Sequence, residues 1–540
     1  MQAARGMFSR MFLAVLSLLI GCNKTQPADT VCQTVDSVFP SPEPSTDGGL
    51  IYEVYVRSYR DSDGDGIGDF LGVIEKLDYL ASLSVRTLWL MPILESPSPA
   101  GYDVTGFDSI DEDYGTDSDF QALLSRAEEL NIRVILDIPI NHTSSKHHWF
   151  STADADPESA YRDYYIFDRE QWDTYRWHAS EENGWYYAFF GADFPDLDWG
   201  REAVREGMLG VITDWIGRGA HGVRLDAVAQ LIEESGDISD TEGTHCALRW
   251  LYAAIKNDHP DALILSEAYT LEQDDHLRYL GGEWRPEADV IFDVPRHKTM
   301  LSGASSQNGT SLVEVLQQEG ENGHRMAGFL GSHDLDRLPS RIPDPAARRM
   351  LMTLHLLLPG SPILYYGEEL DLENNGTASG QEQPNRGPMP WNLEYNAGFT
   401  EGDPWFSVDP SYLYGVNVAD QLQDPESMLA LVLALTDLRS DSTAIRLGTL
   451  SILDAGEDAL VAVSLLHGEQ RVVVVVNIGN SAIPKASLTL PQDELLVELT
   501  GERGWLRDRE VLDFEDIRPN AYWVFGTVDL DEHIVPGALR

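Results

Sequence analysis

From residue 50 onward, short apolar runs alternate with segments of helical character, and no other feature constrains the fold as strongly. Each run is apolar nearly throughout, which is typical of strands covered on both faces. Helices are expected between the runs, for example at residues 120–130 and 201–218. The predicted strands cover residues 50–59, 85–94, 132–141, 222–228, 262–269, 288–294, 326–334 and 361–369.

Eight strands in this alternation predict an α/β chain with a (β/α)8 barrel over residues 49–435; a doubly wound open sheet is the alternative. The long, aromatic-rich connection after the third strand predicts an inserted domain at about residues 142–200. Its aromatic rings are expected mainly to pack the core of the insert. After residue 436 the β-runs continue without helices, which predicts a C-terminal antiparallel β-sandwich over residues 436–540.

Residues 1–21 have the pattern of a bacterial lipoprotein signal peptide. Arg5 and Arg10 precede an apolar run that is short for a bilayer span. The run ends in Leu-Ile-Gly-Cys22, which resembles a lipobox and implies lipidation of Cys22; a plain signal peptide with a chance cysteine is the alternative. The proline-rich residues 22–48 predict a flexible tether. We therefore expect the protein to be lipid-anchored to a bacterial membrane, on the periplasmic or extracellular side.

The chain is strongly acidic, with 89 Asp and Glu against 38 Lys and Arg and a formal net charge of −51. Such a surface repels phosphate backbones, so we expect no nucleic-acid partner. We expect a monomer. The spacing of the three cysteines does not indicate a metal site. Whether Cys32 and Cys246 pair is left open, and the sequence does not favour a disulfide.

Charged and polar residues stand at the ends of the predicted strands. In a barrel, these carboxyl ends meet at one mouth, where active sites form. We therefore expect carboxylates, histidines and arginines from different strands to converge there. The residues concerned are Asn141, His142, Arg224, Asp226, Glu267, His333, Asp334 and Arg337.

The order and content of these strand ends resemble the four short motifs of the α-amylase family of glycoside hydrolases, family 13. The resemblance extends from about residue 50 to the C-terminus, and the segments 101–104, 359–362 and 365–369 agree with it. It implies that Asp226 is the nucleophile, Glu267 the acid/base and Asp334 a third carboxylate that stabilises the transition state. It also implies substrate-binding roles for Tyr102, Asp103, His142, Arg224, His333 and Arg337. Ion pairs that merely stabilise the barrel are the alternative.

The chemistry accounts for these residue types. A retaining glycosidase needs one ionised carboxylate and a second, protonated one nearby. Arg224, two residues before Asp226 on the same strand, would keep that carboxylate ionised. The apolar approach to Glu267, through Leu263 and Leu265, would raise the pKa of its carboxyl.

Two positions depart from the family pattern. Ser332 stands where the seventh-strand motif has Asn. Gln230 stands where many α-amylases have a histidine that helps to bind a structural calcium ion, which disfavours that calcium site although Asn141 is kept.

Aspartates alternate with other residues after the first strand, from residue 61 to residue 69. Closely spaced carboxylates with glycine at the sixth position suit a tight loop of oxygen ligands. An EF-hand would carry Glu at the twelfth position, where this chain has Gly72. The loop instead resembles the compact calcium loop of oligosaccharide-cleaving family members, and a solvated acidic turn is the alternative. The expected Ca²⁺ ligands are Asp61, Asp63, Asp65, the Ile67 carbonyl and Asp69.

The segment 194–199 resembles a family signature and implies a position between the oligo-1,6-glucosidase-like and neopullulanase-like groups. In that resemblance, a small residue after the nucleophile, here Ala227, goes with α-1,4 specificity. We therefore expect hydrolysis of α-1,4 bonds in an α-glucan or malto-oligosaccharide, such as starch or glycogen. An α-glucosidase, a glucan transglycosylase or isomerase, and a non-catalytic glycan-binding accessory protein are the alternatives.

Overall fold

The structure is a computed structural model of the 540-residue chain. It describes residues 32, 46–180, 183–234, 236–270, 273–282, 285–375, 384–489, 496–500, 505–506, 511–527, 530, 533 and 535. The predicted signal peptide, Cys22 and almost all of the predicted tether lie outside the described residues. Among the helices that are described, none has the length and apolar character needed to cross a membrane.

Eight parallel strands form one sheet in the order β7-β6-β5-β4-β3-β2-β1-β8. A parallel bridge between Phe329 and Ile363 joins the two end strands and nearly closes the sheet into a barrel. This closure excludes the open-sheet alternative and confirms the predicted fold. The strands are β1 (Leu50–Val54), β2 (Val85–Leu90), β3 (Arg133–Pro139), β4 (Gly222–Asp226), β5 (Leu263–Ser266), β6 (Val290–Phe292), β7 (Met326–Ala327) and β8 (Ile363–Tyr365).

The strands are apolar on both faces because both faces are buried. Ile51 and Trp89 belong to a cluster with Phe292 inside the barrel. Their neighbours on the strands, such as Leu50 and Leu88, belong to the larger core between the sheet and the helices. Alternating residues thus supply two different cores, which is why a period-two polar pattern is missing.

Helices surround the barrel, and most of the main helices begin with a side-chain cap. Thr116 and Asp119 form a reciprocal capping box at the start of the second helix, and Asp69 caps the first. The main helices are α1 (Phe70–Ser82), α2 (Asp117–Glu129), α3 (Glu202–Gly217), α4 (Glu242–Asp258), α5 (Val294–Ser306), α6 (Thr310–Glu319), α7 (Pro345–Leu357) and α8 (Met428–Asp441). Shorter helices are Val56–Tyr59, His148–Ala155, Gln273–Arg278, Leu338–Arg341, Val418–Gln421 and Thr443–Leu447.

The strands are shorter than the apolar runs that predict them. The first run was expected to be extended through residue 59, but β1 ends at Val54 and Val56–Tyr59 is a helical turn. The seventh run was expected to reach residue 334, but β7 ends at Ala327. The remaining residues of these runs leave the sheet at the barrel mouth as a helical turn and a loop, and they carry polar side chains there.

The connection after β3 holds a small subdomain, as expected. It contains the helix His148–Ala155 and a three-stranded antiparallel sheet of Phe167–Asp168, Gly184–Tyr187 and Trp177–Ser180. The Phe150 ring lies 5.0 Å from Tyr165 and 4.8 Å from Tyr186, so aromatic side chains do pack the core of the insert.

The C-terminal part is an antiparallel β-domain. A two-stranded sheet packs on a six-stranded sheet through a cluster that includes Val473 and Phe514, and the first strand starts at Thr449. The boundary expected at residue 436 therefore falls inside α8, which packs on α7. The strands are β9 (Thr449–Ile452), β10 (Leu460–His467), β11 (Gln470–Asn477), β12 (Ile483–Thr489), β13 (Leu496–Glu498), β14 (Trp505–Leu506), β15 (Val511–Ile517) and β16 (Tyr522–Thr527).

Cys32 and Cys246 form a disulfide bond, which the sequence did not favour. Cys246 is buried on α4, and its partner is 214 residues earlier in the chain. The bond attaches a residue of the predicted tether directly to the outer layer of the barrel.

Candidate active site

Arg224 contacts three carboxylates at the barrel mouth. Arg224 Nη1 lies 2.5 Å from Asp226 Oδ1 and 2.8 Å from Asp137 Oδ1. Its other terminal nitrogen, Nη2, lies 2.7 Å from Glu267 Oε2, in an ion-pair contact that is not aligned as a hydrogen bond. Because one guanidinium contacts both Asp226 and Glu267, these two carboxylates share a single small site. The sequence-predicted pair is thus brought together by the predicted arginine.

The two carboxylates are held in a buried, charged environment. Burial raises the pKa of Glu267 to about 7, although Arg224 opposes the shift. Burial also raises the pKa of Asp226, and the ion pair with Arg224 again opposes it. The Ala227 amide donates to Glu267 Oε2 over 3.2 Å, which fixes the carboxylate beside the end of β4. Glu267 therefore has the pKa of a group that is protonated near neutral pH and still able to release its proton.

Asp334 faces Asp226 and Glu267 from the loop after β7 and is the most exposed of the three, with 52% of its side chain accessible. Partial burial opposes its ionisation, but His333 and Arg386 outweigh this effect and lower its pKa below the ordinary value. His333 Nε2 lies 3.2 Å from Asp334 Oδ2, and Arg386 Nη2 lies 3.3 Å from Asp334 Oδ1. Asp334 is therefore ionised at neutral pH, and its half-exposed carboxylate lies at the opening of the barrel mouth.

The Ser332 that replaces the family's Asn supports this loop. Ser332 Oγ accepts a hydrogen bond from the Asp334 amide over 3.2 Å, and Asn385 Nδ2 donates to the Ser332 carbonyl over 3.2 Å. The change of residue type therefore leaves the loop hydrogen-bonded around Asp334.

Tyr102 and His142 complete the rim on the side of the insert. The Tyr102 hydroxyl contacts Asp137 Oδ2 at 3.0 Å and His333 Nε2 at 2.7 Å. Burial lowers the pKa of His142 to about 4, so the ring is neutral. Both of its nitrogens lack a hydrogen-bond partner within the part of the chain that is described. These nitrogens are buried beside the rings of Phe190 and Phe194, so a sugar hydroxyl reaches them only if the surrounding side chains move.

Two predicted substrate-binding residues have other contacts. Asp103 accepts hydrogen bonds from Ser96 and Ser98, so it shapes the loop that carries Tyr102. Arg337 is only 1% exposed, and its guanidinium donates to the carbonyls of Tyr366 and Asn385. Arg337 thus supports the loop below Asp334 instead of projecting into the mouth, because these main-chain carbonyls need a buried donor.

Sequence reasoning assigned no role to three residues of the site. Arg386 is the arginine that lies beside Asp334, whereas Arg337, which was predicted to bind substrate, does not contact it. Asp137 pairs with Arg224, and Glu53 pairs with His333 over 2.5 Å. Glu53 and Asp137 carried a detectable signal, since each is the single acid in a largely apolar strand. Arg386 carried none, because it lies in a loop well beyond the recognised motifs.

The loop after β1 brings three of the expected calcium ligands together. Carboxylate oxygens of Asp61, Asp63 and Asp65 all lie within 4.8 Å of one another, which is a spacing that one Ca²⁺ ion can bridge. Gly66 has a φ of +97°, and a Cβ atom there would lie 2.0 Å from the Asp403 carbonyl oxygen, so the tight turn requires glycine. Asp69 instead accepts from Ser62 and caps α1, which leaves it outside the three-carboxylate cluster.

A parallel barrel with two carboxylates on one guanidinium, and a third carboxylate beside a histidine, defines a class of enzyme that cleaves glycosidic bonds. The sequence profile described as alpha amylase, catalytic domain, matches residues 53–448. Alpha-amylase 3 of Dictyoglomus thermophilum is 31% identical over an alignment of 451 positions that covers 81% of this chain and 86% of that protein. This chain therefore belongs to the α-amylase family, glycoside hydrolase family 13, and is a glycosidase.

Other relatives have different specificities. The trehalose-6-phosphate hydrolase of Bacillus subtilis is 29% identical over 513 residues, covering 82% of this chain and 90% of that one. The oligo-1,6-glucosidase of Bacillus cereus is 27% identical over 508 residues, covering 79% and 90%. Among solved structures, the Bacillus licheniformis trehalose-6-phosphate hydrolase superposes with a TM-score of 0.75 at 26% identity, over 89% of this chain and 99% of that one.

Proposed function

We propose that this protein hydrolyses α-1,4-glucosidic bonds in starch, glycogen or malto-oligosaccharides with retention of anomeric configuration. The observation that carries the proposal is the contact of Arg224 with both Asp226 and Glu267. A retaining mechanism needs two carboxyl groups close together, since the nucleophile must reach the carbon whose leaving oxygen the acid protonates.

In the proposed first step, Asp226 attacks the anomeric carbon while Glu267 gives its proton to the departing glycosidic oxygen. The bond between that oxygen and the sugar breaks, and a covalent glycosyl-aspartate forms. In the second step Glu267, now ionised, takes a proton from a water molecule. The hydroxide so formed displaces Asp226, and Glu267 is protonated again. Asp334 and His142 bind hydroxyls of the sugar during both steps.

The α-1,4 preference rests on Ala227. Its backbone has a φ of +50°, in the left-handed region, while its amide donates to Glu267. A β-branched residue is strained in this conformation. The resemblance associates valine at this position with α-1,6 specificity, and alanine is the small residue that goes with α-1,4 cleavage. An α-amylase is also among the relatives that cover most of this chain.

A second candidate is cleavage or transfer on short α-glucosides. The relatives that cover four fifths of this chain include an α-glucosidase of Pediococcus pentosaceus, at 29% identity, and a trehalose synthase of Pimelobacter, at 30% identity. An enzyme of either kind uses the same carboxylates and differs in the sugar it admits, or in whether water accepts the glycosyl group.

The deciding experiment is a product profile on starch, pullulan, isomaltose, sucrose and maltoheptaose. Malto-oligosaccharides from starch, with the α-anomer released first in an NMR time course, support the proposal. Cleavage of isomaltose but not of starch supports the second candidate, and products longer than maltoheptaose indicate transfer. An Asp226→Ala variant with unchanged activity would contradict the assignment of Asp226 as the nucleophile. A wild-type protein that binds glucans but cleaves none of these substrates would be a glycan-binding accessory protein.

We also propose that the loop after β1 binds one Ca²⁺ ion. Asp61, Asp63 and Asp65 would hold it, with the Ile67 carbonyl as a further ligand. The closeness of their carboxylates supports this, since three negative charges repel one another without a cation. When bound, the ion would neutralise these charges and stiffen the loop between β1 and α1, with no part in the bond cleavage.

Finally, we propose that the protein is a monomer anchored through lipid on Cys22. The lipobox-like sequence supports the anchor. Incorporation of labelled fatty acid into the wild-type protein but not into a Cys22→Ser variant tests it, and fractionation then identifies the membrane. Light scattering of the detergent-solubilised protein measures its mass and so tests whether it is a monomer.

A further inference from the structure

Glu53 is the single charged residue of β1, and it is completely buried. Its Oε1 lies 2.5 Å from His333 Nδ1. Its Oε2 has no hydrogen-bond partner among the residues that the structure describes. A carboxylate buried at this depth is costly unless an opposite charge accompanies it. The histidine is the group in direct contact that is able to supply that charge.

The hydrogen bonds of Tyr102 indicate the state of His333. The Tyr102 hydroxyl has one proton, and it donates this proton to Asp137 Oδ2. His333 Nε2 lies 2.7 Å from the same oxygen and 3.2 Å from Asp334 Oδ2, so a proton on Nε2 is stabilised by an acceptor and by a negative charge. Nδ1 faces the Glu53 carboxylate, which also accepts. Both ring nitrogens are then donors, and the ring is an imidazolium.

We propose that Glu53 is a positioning residue that keeps His333 doubly protonated and thereby holds Asp334 and Tyr102 in place at the sugar. The proposal rests on the proposed hydrolysis for the part that Asp334 plays. Burial alone would lower the pKa of His333, but Asp334 and Glu53 raise it to about 10. The charge on His333 in turn keeps Asp334 ionised through its contact of 3.2 Å.

Several other groups face this pair. Arg386 donates to the His333 carbonyl over 3.0 Å. Three further carboxylates lie near the imidazolium: Asp137 on β3, Asp226 at the end of β4 and Glu267 directly after β5. The titratable groups around His333 are Tyr102, Asp137, Asp226, Glu267 and Asp334, and those near Glu53 include Tyr365 and Glu368. Asp334 acts on the ring most strongly and contacts Nε2, while Glu53 is the acid whose oxygen contacts Nδ1.

Glu53→Gln is the sharpest variant, because glutamine keeps an acceptor oxygen for Nδ1 and removes the charge. Glu369→Gln is the matched control: Glu369 is an equally buried carboxyl held by the hydroxyls of Tyr52 and Tyr79. We measure kcat/KM against pH on an aryl α-glucoside whose leaving group needs no protonation. Glu53→Gln should leave kcat/KM at pH 7 close to the wild-type value, because His333 is still charged there. It should move the alkaline limb at which His333 loses its proton down by about one pH unit, so that kcat/KM above that limb is about tenfold lower than in the wild type. Glu369→Gln should leave the profile in place, and equal profiles for the two variants would overturn the proposal.

A second measurement needs neither activity nor a Glu53 variant. In wild-type protein labelled at histidine Cε1, the resonance that disappears in His333→Gln is that of His333. It should keep the imidazolium shift to above about pH 9, whereas a free histidine titrates near about 6.5. Titration at the ordinary value would overturn the proposal even if the enzyme cleaves glucans. If no glucoside is cleaved while His333 stays charged, the proposed hydrolysis fails and the link between Glu53 and His333 stands.

Discussion

Glu267 Oε2 lies 2.7 Å from Arg224 Nη2, so the buried carboxyl is in direct contact with a positive charge. Burial raises the pKa of Glu267 to about 7, and Arg224 limits the rise. The same arginine donates a hydrogen bond to Asp226 over 2.5 Å, whereas its contact with Glu267 is not aligned as a hydrogen bond, so it favours the ionised form of Asp226 more strongly. The division of labour between two acids of similar intrinsic strength follows from this geometry.

The first prediction concerns pH. Glu267 must be protonated to act as the acid, so kcat/KM on a malto-oligosaccharide should fall as the pH rises through about 7. Above that pH the fall should be about tenfold per unit, as for loss of one proton. An aryl glucoside with a good leaving group, measured in the same buffers, is the control and should not show this limb. A natural-substrate profile that stays level well above pH 7 would rule out Glu267 as the acid.

The second prediction separates the roles of the two carboxylates. Glu267→Ala should lose roughly 10²–10⁴-fold of its activity on malto-oligosaccharides and much less on the aryl glucoside. With azide, Glu267→Ala should give the α-glucosyl azide, because azide displaces Asp226 from the covalent intermediate. Asp226→Ala should instead give the β-glucosyl azide by direct displacement. NMR of the anomeric proton distinguishes the products, and the reverse assignment of anomers would exchange the two roles.

The sequence predicts the barrel well because each strand must be apolar on both faces, and it predicts Asp226, Glu267 and Asp334 because acids stand out at the ends of such strands. The partner of His333 was not predicted. Glu53 precedes it by 280 residues, and their contact arises only when β1 and β7 curve into one barrel. A charged residue within an apolar strand predicts that a buried partner exists, but it does not predict which residue that partner is.

Arg337 and Arg386 are a second example of contacts that the sequence does not predict. Both lie near Asp334, but the loop around Asn385 determines which guanidinium meets the carboxylate and which meets main-chain carbonyls. The disulfide between Cys32 and Cys246 is a third example. The two residues are 214 positions apart, and neither local sequence indicates that Cys32 packs against α4. Strand-end chemistry is local in sequence, whereas these contacts depend on how distant loops pack.

The third prediction concerns the disulfide. Cys246→Ser should lower the free energy of unfolding by about 2–5 kcal/mol, because the bond restricts the unfolded chain across a long loop. Urea denaturation measures the change, and kcat should be unaffected since α4 lies on the outside of the barrel. Reduced wild-type protein should match the variant, and reductant should not destabilise the variant further. A non-reducing peptide map without the Cys32–Cys246 peptide would contradict the pairing.

The fourth prediction concerns calcium. A chelator should lower the melting temperature, because an ion that binds only the folded loop stabilises it by about 2.7 kcal/mol at a hundred times its Kd. Asp63→Asn should weaken binding in calorimetry and reduce the effect of the chelator. Glu158→Gln, which removes an exposed carboxylate from the insert, is the control and should respond as the wild type does. Mg²⁺ should restore less stability than Ca²⁺, since it prefers a smaller and more regular octahedral site. Elemental analysis without bound calcium, together with an unchanged melting temperature, would identify residues 61–69 as a solvated acidic turn.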